Sequence, residues 1–288
     1  MKTRANHAQT FRHTPNSVKP LNESRLISLL DQEWARFKET TPKSGQENAT
    51  ARQVLPLGAT SSFQHWDPWP LSIVSAKGAW MTDVDGRQLL DLSMGFGAML
   101  AGHLNPDVIS ELKSALEIGT LFVTPSPIST DAAQRICQRF SLDLVRFTNS
   151  GTEATMYAVR TARAYTGRSG VMKIEGGYHG SYDPLMVSSK PSIADAGNEH
   201  LPNSVTPYGA VPGEVWVVPY NDADAIEEIF KVHAKEIACL IMEPVLENIG
   251  IVLPDSGYLE RVRELCTDRK STRLNSSHIP LSRMPSSA

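Results

Sequence analysis

Arg146-Phe147-Thr148-Asn149-Ser150-Gly151-Thr152-Glu153-Ala154 is the joint around which this chain is built. Leading into it, the apolar run Leu144 to Phe147 predicts a short strand of the kind buried in parallel sheets. A small polar turn stops that run, and a helical pattern starts at once. Small residues there leave backbone N–H groups bare, and the helix dipole adds partial positive charge. The pair of features suits an anion, most often a phosphate. A well-capped helix after a strand has the same local pattern, so the stretch alone leaves both readings open.

Working outward, strand and helix patterns alternate. A helix carrying Ala154, Tyr157, Ala158, Thr161 and Tyr165 ends at Gly167. Strands are expected at Val171 to Ile174, Val215 to Val218 and Ile237 to Val245. Helices are expected after Asn221, with Ile226, Ile229 and Phe230, and after Ser256, with Leu259, Val262 and Leu265. Upstream, Asn105-Pro106 starts a helix with Val108, Ile109, Leu112 and Leu116, and another begins near Thr130. Such alternation predicts an α/β fold, a mostly parallel sheet with helices on both faces. Ligands in these sheets collect at the carboxyl ends of strands. Asn149 to Thr152, Gly176 to Gly180 and Glu243 to Asn248 all fall at such ends.

Towards the N-terminus the pattern changes. Residues 1–20 read as disordered, and a helix follows with Leu26, Leu29, Leu30, Trp34 and Phe37 on one face. Thr41 to Pro70 reads as a polar, turn-rich connection. Leu71 to Val74, Ala79 to Asp83 and Gln88 to Leu92 then read as strands, with Asp85-Gly86 as a hairpin turn. A small antiparallel unit is expected here. Gly95 and Gly97 are no dinucleotide fingerprint, because Leu100 stands where its third glycine belongs.

Composition narrows the function. A net charge of −3 offers no basis for binding nucleic acid or an anionic membrane surface. No apolar run approaches the roughly 20 residues a bilayer requires. The first twenty residues have no hydrophobic segment of the secretory kind, which points to a cytoplasmic protein. Cys137, Cys239 and Cys266 are too few and too dispersed for a metal site or a disulfide scaffold, and read as buried thiols.

Three features converge on one sheet edge: the phosphate-type turn, the glycine-flanked Tyr178 and His179 of Gly176–Gly180, and Glu243 at a strand end. A phosphate cradle beside an aromatic platform suits a phosphorylated ring better than a nucleotide. The string NSGTEA at 149–154, with Arg160 and Arg163-Ala-Tyr-Thr-Gly-Arg168, resembles the class III aminotransferases. Asp83-Val-Asp-Gly86, Gly102-His-Leu-Asn-Pro106, Gly177-Tyr-His-Gly180, Pro219-Tyr-Asn-Asp222 and Met242-Glu-Pro-Val245 extend the likeness from about Leu55 to about Arg269. It is strongest to the glutamate-1-semialdehyde aminomutase branch, while Leu55 to Thr60 is similar to the β-amino-acid aminotransferases. The resemblance implies a pyridoxal 5′-phosphate-dependent transferase of fold type I, a homodimer acting on a small amino acid or amino aldehyde. It implies that Ser150, Gly151 and Thr152 hold the phosphate and that Tyr178 stacks on the ring, with His179 beside it and Asn248 nearby. Phe96 and Glu243 would face the substrate, Phe96 standing where the aminomutases carry tryptophan.

The family's chemistry also needs a lysine and an aspartate that come after the last matching helix. Here the tail from Lys270 to Ala288 has six serines, no acidic residue and no strand-like run. The expectation is therefore disorder over 1–20, an N-terminal helix and antiparallel segment over 21–100, a partial cofactor-binding large domain over 101–269 and an unrelated tail over 270–288. Lys270, at a helix end with no strand behind it, is not a candidate for the lysine. The chain reads as an inactive N-terminal part of such an enzyme. The rival readings are a non-catalytic module that binds the cofactor without covalent capture, and a truncated product without function.

Overall fold

The computed structural model describes residues 22–191, 215–268 and 272–275, the last four as backbone alone. The readings placed on residues 1–20, on Lys270 and on most of the tail lie outside the described residues. Two compact units divide the chain, Met1–Ile118 and Gly119–Ala288.

In the first unit, helix α1 (Glu23–Thr40) is capped by the Asn22 side chain, which accepts from the Arg25 N–H at 3.0 Å. None of its residues is buried, and Leu26, Leu29, Leu30 and Trp34 stand exposed. A second helix, α2 (Pro42–Ala51), occupies what the sequence suggested was a polar connection. Pro42 presets its first turn, but Thr41 gives no side-chain cap. Asp85 caps it instead, accepting from the Lys43 and Ser44 N–H groups at 2.8 and 3.0 Å and from the Ser44 hydroxyl at 2.7 Å. Asp85 sits in the turn between strands β2 (Trp80–Asp83) and β3 (Gln88–Leu90), where Gly86 has φ +88°. With β1 (Ile73–Lys77), which begins two residues later than the pattern suggested, these form an antiparallel sheet in the order β1-β2-β3. Helix α3 (Pro106–Ile118) follows, its first N–H groups bound by Asn105.

The second unit holds helices α4 (Pro127–Phe140) and α5 (Gly151–Thr166), strand β4 (Gly170–Ile174), a short helix α6 (Asp183–Met186), strand β5 (Val215–Val218), helix α7 (Ala223–His233), strand β6 (Ile237–Met242), helix α8 (Tyr258–Asp268) and strand β7 (Thr272–Asn275). The four strands pair in parallel in the order β5-β4-β6-β7. Every residue of β4 and β6 is buried, as a sheet covered on both faces requires. On one face Met172, Ile174, Leu240 and Met242 pack against Ile226 and Phe230 of α7 and Val262 and Leu265 of α8. On the other, Val171, Cys239 and Ile241 meet Val159 and Ala162 of α5 and Leu185 of α6. The expected α/β layering is present. The chain leaves β4 for β5 on one side and comes back to β6 on the other, and it is at the carboxyl ends of strands flanking such a switch that ligands of these sheets bind.

Three further expectations fail. Leu144 to Phe147 is not a buried strand: it has no regular structure, and Leu144 and Phe147 are exposed. An extended run becomes a strand only by pairing, and none of the described strands lies against it. Conversely, Thr272–Asn275 pairs with β6 from Cys239↔Thr272 to Met242↔Asn275, although the tail has no strand pattern. The ladder needs only backbone, and the edge of the fully buried β6 offers a row of open N–H and C=O groups. Finally, Cys239 and Cys266 are buried but Cys137 is half-exposed.

Candidate functional site

The first turn of α5 is built by a reciprocal cap. Ser150 Oγ accepts from the Glu153 N–H at 3.2 Å, and Glu153 Oε2 accepts from the Asn149 N–H at 2.7 Å. The N–H groups of Gly151 and Thr152 open the helix and have no carbonyl within it to bind. Thr152 Oγ1 accepts from the Ser181 N–H at 3.0 Å. Ser150 and Thr152 thus use their hydroxyl oxygens as acceptors in these contacts.

Gly176–Gly180 is seated on this turn. Thr155 Oγ1 donates to the His179 carbonyl at 2.7 Å. At Gly180 (φ +86°) a Cβ would stand 2.6 Å from Thr152 Oγ1 and 2.7 Å from Thr152 Cα, so only glycine allows the approach. His179 is buried and Tyr178 half-buried.

Glu243, at the end of β6, is buried and holds the turn from the other side. Its Oε1 accepts from the Tyr178 N–H at 2.8 Å and its Oε2 from the Glu247 N–H at 2.9 Å. Asn248 donates from Nδ2 to the carbonyls of Gly176 and Ser189, at 2.9 and 2.8 Å. The Tyr220 hydroxyl donates to the Pro244 carbonyl at 2.6 Å; burial, then the charge of Glu243, pushes its pKa up to about 12.

Sequence reasoning missed Lys173. It sits in the middle of β4, wholly buried, with Nζ donating to the carbonyls of Gly177 (3.1 Å) and Val187 and to Ser189 Oγ (3.4 Å). Burial draws its pKa down to about 7, against the opposing pull of Glu243 and Glu175. The available signal was one cation in the otherwise apolar run Gly170–Ile174.

Ser150, Gly151, Thr152, Tyr178, His179, Glu243 and Asn248 therefore belong to one region of the second unit. Phe96 belongs to the first unit. There it stands exposed at φ +56° in a loop whose start is fixed by Asp91, which accepts from the Ser93 and Met94 N–H groups. Asp91 also pairs with His103 Nε2 at 2.8 Å, and that bond, with the Met94 N–H, holds its carboxyl below the usual range. Among the described residues no His, Cys, Asp and Glu cluster could hold a metal ion, and no helix is long and apolar enough to cross a membrane.

The first turn of α5, the glycine turn that carries Tyr178 and the Glu243 carboxylate at the end of β6 thus meet in one region of the second unit. The chain belongs to the aminotransferase class-III family, whose model matches residues 62–272. It is 39% identical over 224 residues to the glutamate-1-semialdehyde 2,1-aminomutase of Methanocorpusculum labreanum, an alignment that covers 77% of this chain and 53% of that protein. The fold matches a glutamate-1-semialdehyde aminomutase from Pseudomonas aeruginosa PAO1 with TM-score 0.80 and 29% identity, over 90% of this chain and 56% of that one. A variant of that enzyme has been solved in complex with PMP. A β-phenylalanine aminotransferase from Variovorax paradoxus matches with TM-score 0.76 and 27% identity, over 86% of this chain and 54% of that one. The fold is thus that of the class III transaminases, fold type I. The chain spans about half the length of the curated relatives it matches.

Proposed function

We propose that this chain carries the cofactor-binding half of a class III aminomutase or aminotransferase and that it takes pyridoxal 5′-phosphate. The seating of the Gly176–Gly180 turn on the first turn of α5 carries this reading, because it sets the opening N–H groups of a helix beside the turn that bears Tyr178. The residues suit the group. The N–H groups of Gly151 and Thr152 meet phosphate oxygens, and the hydroxyls of Ser150 and Thr152 donate their protons to the same anion. Tyr178 offers its ring as the stacking surface, with His179 beside it. Glu243 and Asn248 keep the turn in place, and Glu243 would face the substrate or the cofactor's phenolic oxygen. Phe96 is assigned to the substrate side by resemblance alone.

When bound, the cofactor supplies an electron sink for the substrate's α-carbon and a carrier for its amino group. This chain's own residues bind and orient. None of them matches the family's Schiff-base lysine, so the 288-residue chain holds the cofactor without covalent capture. The whole protein would be a homodimer acting on a small amino aldehyde or amino acid. Phe96 in place of the aminomutase tryptophan, together with the Variovorax likeness, favours a β-amino acid:2-oxo acid aminotransferase as the second reading.

The test is incubation with pyridoxal phosphate, measurement of bound cofactor, then borohydride reduction and intact-mass analysis. Saturable binding with no mass increase is expected. An adduct on a single lysine would contradict the non-covalent reading, and a lack of saturable binding would contradict the cofactor assignment itself.

A further inference from the structure

Among the described residues, Lys173 is the one fully buried lysine or arginine, and the proposed site does not use it directly. An ammonium group has three protons to donate and a neutral amine two, and Lys173 meets three acceptors: the carbonyls of Gly177 and Val187 and the hydroxyl of Ser189. These acceptors lie on two separate pieces of chain, the glycine turn and the segment after α6. The same two pieces are tied elsewhere, by Gly176 N–H to the Ser188 carbonyl at 2.7 Å and by Asn248 to Gly176 and Ser189. Among the ties between these two pieces, Lys173 reaches closest to Tyr178: it binds the carbonyl of the peptide whose N–H, on Tyr178, donates to Glu243. A buried charge is costly, and an apolar side chain of equal length would fill the same space on the α5 face of the sheet at less cost. What an apolar side chain lacks is the three donated hydrogen bonds.

We propose that Lys173 is a positioning residue for the cofactor ring: its Nζ, donating to the Gly177 carbonyl, fixes that peptide and through it the orientation of Tyr178. The inference rests on the cofactor reading of the Gly176–Gly180 turn. The titratable groups around Lys173 are Glu175 at the end of its own strand, Glu243 and Cys239 from β6, His179 in the turn, Tyr182 before α6 and Arg163 from α5. The two carboxylates favour the ammonium; burial opposes it. The cradle on α5 has its own cap, from Ser150 and Glu153, and meets the turn at His179 to Ser181 rather than at Gly177, which gives the clamp and the cradle separate holds.

That separation makes the proposal testable on the full chain. In Lys173→Met, hydrogen exchange over 175–189 should rise about tenfold, the loss expected for a buried hydrogen bond, while exchange in β6 stays unchanged. The dissociation constant for pyridoxal phosphate should rise by a similar, about tenfold, factor. That for inorganic phosphate, which does not reach the ring platform, should move by less than about twofold. Lys173→Gln, which keeps two donors on a shorter stem, should fall between wild type and Lys173→Met in each measurement, and carries the same comparison if Lys173→Met does not fold. Unchanged exchange at 175–189, loosening of β6 in step with the turn, equal weakening toward both ligands, or unfolding of both variants would each overturn the proposal. If the wild type takes up no pyridoxal phosphate, the cofactor reading fails and the exchange comparison alone decides whether Lys173 fixes the turn.

Discussion

At Gly180 a single missing methyl joins two parts of the site. With φ +86° and Thr152 atoms at 2.6 and 2.7 Å from where a Cβ would stand, alanine must both strain the backbone and push the turn away from α5. Gly180→Ala is expected to destabilise the second unit by about 1–3 kcal/mol in urea titration, and to weaken cofactor binding as the turn lifts. Lys173 sets a pH dependence. Its folded pKa, about 7, lies below the ordinary 10.5, so between those values the unfolded chain carries a proton that the folded chain has shed. Stability therefore rises with pH across that window and falls as pH drops towards 7. Urea midpoints measured at the two ends of the window should show this slope, and Lys173→Met should flatten it.

At the scale of elements, the Asp85 cap on α2 is the informative case. Desolvation pushes the Asp85 carboxyl up, but the Ser44 hydroxyl and the Lys43 and Ser44 N–H groups outweigh it, with Arg87 adding to them, and the net pKa is lowered. Its contribution is thus complete above the ordinary carboxylate range and lost as pH falls below it. Asp85→Ala is expected to fray α2 selectively, seen as faster hydrogen exchange over 42–51, with β2 and β3 little changed. The element also shows why part of the fold was illegible. Strands β4 and β6 and helices α5, α7 and α8 announce themselves through apolar periodicity, because their burial is a property of their own residues. Helix α2 depends on an acceptor from a distant hairpin, and β7 on an open sheet edge, which no local window contains. Leu144 to Phe147 has the strand pattern without the partner. The site divides in the same way. Glycine spacing and the Ser150–Glu153 cap made the cradle and the turn readable, whereas a lysine within a strand ordinarily signals a solvent-facing position, and only the carbonyls gathered around Lys173 explain its burial.

For the whole molecule, the unburied apolar surface has consequences. The face of α1 and the runs Leu121–Val123 and Leu142–Phe147 leave large apolar side chains in water. Multi-angle light scattering is expected to find species heavier than the 31.6 kDa monomer; a monodisperse monomer would show that these faces are tolerated in water. The class III assignment and the fold rest on the match over residues 62–272 and on the parallel sheet, independently of that outcome. The cofactor site is best tested by hydrogen exchange of the chain with and without pyridoxal phosphate. Protection confined to the amides of 150–154 and 176–181 is the expected result. Unchanged exchange there, or protection elsewhere in its place, would contradict the cradle at α5 as the cofactor's seat.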